Sequence, residues 1–208
     1  LFLSRTALNG AFNYHNANHI TFHRIHRFRD LEGEEGDKPM GPEIPNGVWP
    51  TMVTPFTDSN AIDYSGLEAL IEWYIGQGVD GLFAVCQSSE MFHLSLQERV
   101  RLAAFVKEKA GGRLPVIASG HISDSLSEQG EELKRLADTG VDAVVLVSNR
   151  LAAPHEGDEV WRKHAEILLE AVADVPLGIY ECPYPYKRLM HPELLRWCAD
   201  TGRFMFLK

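Results

Sequence analysis

The stretch LPVIASGHISDSLSEQGEELKRLADTGVDAVVLVSN (114–149) contains two apolar runs separated by one polar segment. The runs at 114–120 and 143–149 have the length and composition of buried strands. Ser125 and Glu128 form an S-x-x-E capping box, and the helix that it starts ends near Gly140. A strand, a helix and a strand in this order join two parallel strands through a crossover helix. The segment therefore predicts a βαβ unit of an α/β protein.

The same unit repeats on both sides of this stretch, and each repeat takes roughly 30 residues. Further apolar runs of strand length lie at 48–56, 81–86, 176–182 and 203–208. The predicted helix starts between them are Asp63, Ser95, Asp158 and Pro192. Continuous apolar strands that alternate with helices indicate a parallel sheet whose outer face is covered by helices.

Two α/β architectures have this pattern, the doubly wound sheet and the (β/α)8 TIM barrel. A doubly wound sheet is expected to carry a Gly-rich phosphate loop after its first strand, but TPFTDSN (54–60) contains no GxGxxG motif. We therefore predict a TIM barrel. A complete barrel needs about 250 residues and eight βα units. This sequence has about six such units, so we predict an incomplete barrel. We expect a gene fragment that ends just after the Lys208 codon, and a chain that is poorly soluble or inactive alone.

Composition limits the classes of function. The chain has 208 residues, 45% of them hydrophobic, which suffices for one sizeable core. Its net charge of -9 argues against binding to nucleic acid or to an anionic membrane. The three cysteines, Cys86, Cys182 and Cys198, are far apart in the sequence, which fits reduced thiols in a cytosolic protein better than a disulfide framework. No apolar stretch approaches the ~18 residues that are needed to span a bilayer. We expect a soluble, cytoplasmic protein without a cofactor or metal.

Residues 1–39 differ from the rest, and we expect them to lie outside the domain at 40–208. They begin with an Arg- and His-rich segment and end with an acidic, Gly-rich one just before Met40. Three interpretations are open: a metal-binding arm that uses His23 and His26, an Arg-rich transit peptide, and a disordered or upstream segment. We favour translation from Met40, because the purine-rich codons of the acidic segment would resemble a ribosome-binding sequence.

In such barrels the chemistry lies at the carboxyl ends of the strands. The polar residues at the predicted ends are Thr54, Gln87, Ser88, Ser89, Glu90, Ser119, His121, Ser148, Asn149, Arg150, Tyr180, Glu181 and Lys208. This set offers hydroxyls, a phenol, a guanidinium and an amine. It contains no convincing set of metal ligands and no obvious Ser-His-Asp triad.

Lys208 closes the apolar run GRFMFLK (202–208). An amine among the phenylalanines and leucine of this run loses solvation of its charged form, which lowers its pKa. A neutral amine can attack a carbonyl and form a Schiff base, and a phenol such as Tyr180 can move protons at the nitrogen and oxygen. On the evidence of these residues alone, a lysine at a strand end is more often a solvated surface group than a nucleophile.

Residues 45–208 resemble the dihydrodipicolinate synthase / N-acetylneuraminate lyase family of class I aldolases. The resemblance is carried by GVWPTMVTPF, CQSSE, IYECP and the terminal lysine. The family places a tyrosine in a Y-x-x-P turn after strand five and its Schiff-base lysine at the end of strand six. Tyr180 and Lys208, 28 positions apart, match those two places. The resemblance implies a lyase or aldolase in which Lys208 forms a Schiff base with pyruvate or a related 2-oxo acid and Tyr180 relays protons.

The family also holds the substrate carboxylate in a turn usually written G-[TS]-x-G-E, which reads CQSSE (86–90) here. The resemblance implies that Gln87, Ser88 and Ser89 bind the carboxylate of the 2-oxo acid. Gln87 replaces a usual hydroxyl, and Cys86 and Ser89 replace both glycines, so the turn departs from the family pattern. A buried turn hydroxyl is the alternative for Ser89.

Two further departures concern the second substrate. The synthase branch has an arginine where this sequence has Pro185, and a tyrosine in the loop after strand four, which reads VSNRLAAPHEG here. The basic pair at 187–188 could still reach the site. We expect a sialic-acid-type lyase, a sugar-acid aldolase or a related dehydratase rather than the synthase of lysine biosynthesis. Arg150 and His121 are candidate contacts to the second partner, with ordinary loop residues as the alternative.

A binding protein is the alternative from another class of function. The replaced glycines and the missing arginine are also expected in a barrel that binds a sugar or an acid and has lost the reaction. For the full-length parent of either kind, we expect a homo-oligomer with no nucleic-acid or membrane partner.

Overall fold

A six-stranded sheet lies at the centre of the computed structural model, which describes residues 23–24, 44–172 and 175–208. The strands are β1 (His23–Arg24), β2 (Leu82–Val85), β3 (Val116–Ala118), β4 (Ala143–Val147), β5 (Leu177–Tyr180) and β6 (Phe204–Leu207). The helices are α1 (Tyr64–Gly76), α2 (Leu96–Ala110), α3 (Leu126–Ala137), α4 (Asp158–Ala171) and α5 (Pro192–Asp200). None of these five helices is long and apolar enough to cross a membrane.

The strands follow the order β1-β6-β5-β4-β3-β2 across the sheet. Strands β2 to β6 run parallel, and a helix separates each from the next along the chain. This arrangement confirms the predicted α/β class. Because all five parallel strands point the same way, their carboxyl ends lie at one edge of the sheet, where the predicted site residues follow them.

The first predicted strand, 48–56, is present only as an irregular segment beside β2. Thr51 forms a parallel bridge with Phe83. The Met52 N–H donates to the Phe83 carbonyl at 3.1 Å, and the Phe83 N–H donates to the Pro50 carbonyl at 3.2 Å. The two prolines of the segment have no N–H to donate, so a regular ladder is interrupted there. The segment nevertheless extends the parallel sheet.

Side-chain caps start the first three helices where the sequence predicts them. The Asp63 carboxylate accepts from a backbone N–H in the first turn of α1. Ser95 and Glu98 form a reciprocal box, in which the Glu98 N–H donates to Ser95 Oγ at 3.3 Å and the Ser95 N–H donates to Glu98 Oε2 at 2.8 Å. The Ser125 hydroxyl accepts from the Glu128 N–H at 3.2 Å and donates to the Glu128 carboxylate at 2.8 Å.

The predicted cap of α4 is wrong by one residue. Gly157 is the N-cap, and Asp158 is the first residue of the helix. Its carboxylate accepts from Arg188 Nη2 and lies beside His191 Nδ1, both at 2.9 Å. The acidic residue therefore ties the first turn of α4 to the loop before α5, a contact between distant segments that local sequence does not reveal.

The core lies on both sides of the sheet, since every residue of β2 to β5 is buried. Gly178 in β5 is needed for packing. A Cβ at this position would lie 2.1 Å from the Phe206 ring, so the ring occupies the space over the glycine. Phe206 and Lys208 are two residues apart and therefore point to the same face of β6.

β1 pairs antiparallel with β6, with His23 opposite Leu207 and Arg24 opposite Phe206. The remainder of 1–43 lies outside the described residues. The predictions that residues 1–39 are separate from the domain, and that a histidine pair there binds metal, therefore stay predictions.

Candidate active site

The register of the sheet places Lys208 directly beside Tyr180. The Lys208 N–H donates to the Ile179 carbonyl at 2.8 Å, and the Glu181 N–H donates to the Lys208 carbonyl at 2.9 Å. In a parallel ladder, a residue bonded to both neighbours of another residue lies opposite it. Lys208 thus pairs with Tyr180, and their side chains leave the two strands on the same face.

The Lys208 amine lies over two aromatic rings. Its Nζ is 4.2 Å from the centre of the Tyr180 ring and 5.5 Å from that of Phe83. The two rings meet edge to face, with their centroids 5.7 Å apart. Burial lowers the pKa of the amine, while the Cys86 and Cys182 sulfurs act in the opposite direction. The structure therefore brings the predicted nucleophile and the predicted phenol together in a largely apolar setting.

The Tyr180 side chain is only 7% exposed. Burial is the main cause of its raised pKa, and the neighbouring Cys182 and Cys86 raise the pKa further. The phenol therefore keeps its proton at neutral pH and can donate it, either in a hydrogen bond or in a transfer step.

The CQSSE turn forms a short 3₁₀ segment, Gln87–Ser89, directly after β2. Ser89 is fully buried, and its Oγ accepts from the Cys86 N–H at 2.7 Å and donates to the Cys86 carbonyl at 2.8 Å. Thr54 donates to the Ser89 carbonyl at 2.9 Å, which ties the turn to the 48–56 segment. The Ser89 hydroxyl holds the turn together and is not free for a substrate.

Cys86 changes what the turn can bind. Its sulfur accepts from the backbone N–H of Ser89, and burial is the main cause of the raised pKa of the thiol. The Ser89 amide is therefore directed at the sulfur and is not available to a substrate carboxylate. The Ser88 residue itself is exposed, and Gln87 is half-buried with its Oε1 3.4 Å from Cys182 Sγ. These two side chains remain on the open side of the turn.

His121 is not brought to the amine as a substrate contact. It is fully buried, and its Nε2 accepts from the Val147 N–H at 2.6 Å. Its Nδ1 is 2.9 Å from Gln129 Oε1. Since the acceptor role of Nε2 places the proton on Nδ1, both nitrogens are occupied within the protein. His121 joins the ends of β3 and β4, contrary to its predicted role at a sugar hydroxyl.

Arg150 is also occupied within the protein. Its Nη2 donates to the Ile122 carbonyl at 2.6 Å, to the Ser123 carbonyl at 3.0 Å and to Asp124 Oδ1 at 2.8 Å. The guanidinium therefore closes the loop between β3 and α3. The predicted contact between Arg150 and a second substrate finds no support in this arrangement.

Among residues 44–172 and 175–208, no group of three or more His, Cys, Asp or Glu side chains is arranged to hold a metal ion. The groups recorded as acting on the amine are the Cys86 and Cys182 sulfurs and the two aromatic rings. What the site can do chemically therefore follows from the amine and the phenol.

Comparison with known proteins identifies the family of this chain. The Dihydrodipicolinate synthetase family profile matches residues 44–196. The chain belongs to this family. A 4-hydroxy-tetrahydrodipicolinate synthase of Prochlorococcus marinus is 36% identical over 158 residues, which cover 76% of this chain and 51% of that protein. The chain spans about half the length of the curated relatives that it matches.

Solved structures of the dihydrodipicolinate synthetase family share the fold. The dihydrodipicolinate synthase of Acinetobacter baumannii, complexed with pyruvate, is 31% identical with a TM-score of 0.60, over 66% of this chain and 46% of that one. The prophage protein YagE of E. coli K12, in complex with pyruvate, is 25% identical with a TM-score of 0.65, over 74% of this chain and 50% of that one. The predicted family and partial (β/α)8 barrel are confirmed.

The loop after β5 shows where this family member departs from the synthase pattern. The Asn149 amide donates to the carbonyls of Cys182 at 2.8 Å, Tyr184 at 3.0 Å and also Tyr186. Arg188 belongs to the basic pair that could have replaced the missing arginine. Its guanidinium instead donates to Asp158 and to carbonyls of the loop after β4. It supports the loop and is held away from a substrate role.

Three residues of the site were missed by the sequence reasoning. Phe83 supplies the second ring under the amine, although its strand was predicted correctly. Cys182 raises the pKa of both the phenol and the amine and contacts Gln87, and a signal existed, because residues 180 and 182 are two apart in an extended segment. Asn149 was noted only as a polar strand end, and its role as an anchor of the β5 loop depends on a contact across 33 or more residues.

Proposed function

We propose that this chain carries the reactive part of a Schiff-base-forming lyase or aldolase that acts on pyruvate or a related 2-oxo acid. Lys208 is the nucleophile and Tyr180 is the proton donor. One observation carries the proposal: Nζ of Lys208 lies 4.2 Å from the centre of the Tyr180 ring, on the shared face of two adjacent strands. Family membership gives this pair its expected chemistry.

The geometry supports the first steps of such a reaction. The neutral amine of Lys208 adds to the C2 carbonyl of the acid and gives a carbinolamine. The departing oxygen needs a proton, and the protonated phenol of Tyr180 is the nearest group suited to give it. Loss of water leaves an iminium, which withdraws electrons from C3 and makes bond formation or cleavage there possible. Burial assists because it lowers the pKa of the amine and keeps the phenol protonated.

We propose that the carboxylate of the 2-oxo acid is held by the Ser88 hydroxyl and the Gln87 amide. These groups lie on the open side of the turn after β2, whereas the Ser89 hydroxyl is turned inward. The two family members solved with pyruvate make a 2-oxo acid the natural first ligand to test. The Cys86 sulfur competes for the Ser89 amide, so we expect weaker carboxylate binding than glycine at that position would give.

For the second partner, we propose a sugar acid or a sialic-acid-like compound rather than the aldehyde of lysine biosynthesis. Pro185 stands at the place of the synthase arginine, and the nearby Arg188 is bonded to Asp158. The curated relative named above is a synthase, and the missing arginine is the feature that supports a different second partner for this chain. A cytoplasmic location and a homo-oligomeric parent belong to the same proposal.

Reductive trapping tests the proposal. The full-length protein that contains this chain is incubated with pyruvate and borohydride, which reduces the iminium to a stable secondary amine, and the modified residue is located by peptide mass spectrometry. We expect the adduct on Lys208, its absence in Lys208→Arg, and slower formation in Tyr180→Phe. Lys187→Arg, which replaces an exposed lysine, is the matched control and keeps the adduct. Pyruvate binding without any adduct would instead select the non-catalytic barrel.

A further inference from the structure

Arg99 of α2 and Glu132 of α3 form a buried ion pair beside the carboxyl ends of β2 and β3. The two residues are 3% and 4% exposed, and Arg99 Nη2 lies 2.6 Å from Glu132 Oε1. A Cβ at Gly120, just after β3, would lie 3.3 Å from Arg99 Cδ and from Cγ1 of Val85, the last residue of β2. Removing two charges from water is costly, so a buried pair is weak evidence of a contribution to stability. Its other hydrogen bonds indicate what this pair does.

The guanidinium of Arg99 holds the segment that directly follows the carboxylate turn. Its Nη1 donates to the Met91 carbonyl at 3.4 Å and to the Leu94 carbonyl at 3.2 Å. The Met91 N–H donates to the Cys86 carbonyl at 3.3 Å, so Met91 closes the turn at 86–90. The residue that closes the turn is therefore bonded to the start of the turn through its N–H and to Arg99 through its carbonyl.

The carboxylate of Glu132 holds the loop after β3. Its Oε2 accepts from the N–H groups of Ile122 at 2.8 Å and Ser123 at 3.1 Å, and its Oε1 accepts from the Ser123 hydroxyl at 2.9 Å. Arg150, which follows β4, donates to the carbonyls of the same two residues. One chain of hydrogen bonds therefore joins the loops after β2, β3 and β4.

We propose that Arg99 is a positioning residue for the turn after β2. Its guanidinium, which Glu132 orients, fixes the turn through the Met91 carbonyl. The turn in its turn places the proposed carboxylate ligands, Gln87 and Ser88. This inference rests on the proposed function and deepens it, since it names the groups that hold the carboxylate site in place. The amine and the phenol belong to β6 and β5, so a change in Arg99 should alter the binding of the 2-oxo acid more than the rate of the chemistry.

A second ion pair of α2 lies at the opposite edge of the sheet and supplies a matched control. Lys107 Nζ is 2.6 Å from Asp142 Oδ2, and this oxygen also accepts from the Val116 N–H at 2.7 Å. Val116 begins β3 and Asp142 directly precedes β4, so the pair lies at the amino edge. In barrels of this kind the amino edge contributes to stability and the carboxyl edge to function. Loss of the Lys107 pair should therefore destabilise the protein and leave the carboxylate turn unchanged.

Reductive trapping of the full-length protein at varied pyruvate concentrations tests the inference. It gives the half-saturating pyruvate concentration and the saturating rate of adduct formation. Arg99→Lys keeps a charge beside Glu132 but lacks the planar fork that reaches the two carbonyls. We expect the half-saturating concentration to rise about threefold to tenfold, which corresponds to roughly one hydrogen bond, and the saturating rate to stay within about twofold. Lys107→Met should keep both values within about twofold of wild type.

A paired variant separates positioning from misfolding. Arg99→Met combined with Glu132→Gln removes both charges, so no unpaired charge is left buried. The glutamine oxygen can still accept from the loop after β3. We expect the half-saturating concentration to rise at least as much as in Arg99→Lys. Urea unfolding of each variant establishes the conditions under which the trapped protein is folded.

The outcomes distinguish the two proposals. An unchanged half-saturating concentration in folded Arg99→Lys, or an equal rise in Lys107→Met, would overturn the positioning role while the Schiff base stands. A fall in the saturating rate alone would overturn it as well. A wild-type protein that forms no adduct on Lys208 would overturn the proposed function itself, and the positioning role with it.

Discussion

Acid should destabilise this fold through one buried side chain, His121. The imidazole is fully buried, and burial lowers its pKa to about 4, with the charges of Arg150 and Arg99 adding to the effect. Its Nε2 accepts from the Val147 N–H, so protonation of Nε2 would point a second N–H at that donor and break the hydrogen bond. The unfolded chain has no such obstacle and binds the proton with a pKa of about 6.5.

The sign and size follow from proton linkage. Between these two pKa values the unfolded state binds more protons, so stability falls as the pH is lowered. The contribution of His121 is fully present above about pH 6.5 and is lost progressively as the pH falls to about 4. At about pH 5 the loss is about 2 kcal/mol, and below both values it approaches about 3 kcal/mol.

Urea unfolding of the full-length protein that contains this chain, at several pH values, measures this loss, and the difference from His121→Gln isolates it from the carboxylates. We expect the variant to be less stable than wild type near neutral pH and to lose the steep part of the curve between about pH 6.5 and 4. His155→Gln, at an exposed position, serves as the control. Parallel curves for wild type and His121→Gln would refute the reasoning.

Two further perturbations test packing and anchoring. Gly178→Ala places a methyl group 2.1 Å from the Phe206 ring and should cost about 1 to 3 kcal/mol in the free energy of unfolding. Gly76→Ala, which meets nothing within 4 Å, should be neutral or stabilising by up to about 1 kcal/mol, and equal effects at both sites would contradict the packing account. Asn149→Ala leaves the carbonyls of the β5 loop unsatisfied and should cost about 2 to 3 kcal/mol; a loss below about 1 kcal/mol would argue against the anchor.

Sequence patterns predicted most of the fold because strands and helices leave local signals. The apolar runs and the caps at Asp63, Ser95 and Ser125 lie where the structure has its elements. The errors arose where backbone chemistry or distant contacts intervene. The segment 48–56 is apolar enough for a strand, but its prolines cannot donate, and Asp158 is committed to a salt bridge with a distant loop.

The placement of the amine beside the phenol was predictable, and the polar contacts around them were less so. The resemblance placed Tyr180 and Lys208 correctly on adjacent strand ends, and the parallel register explains why they share a face. The sequence could not show that His121 and Ser89 turn their polar atoms inward, because their partners are backbone groups with no sequence signature. Nor could it show that a thiol lies near the phenol, because a cysteine at position 182 is equally compatible with a purely apolar role in the core.

The pH dependence of reductive trapping with pyruvate, resolved residue by residue, tests the central claim most directly. We expect a reduced adduct on Lys208 alone, with a half-maximal rate at a pH below the ordinary lysine pKa of about 10.4, because burial lowers the pKa of this amine. Adducts spread over exposed lysines such as Lys187, or a Lys208 profile centred at the ordinary value, would contradict the account.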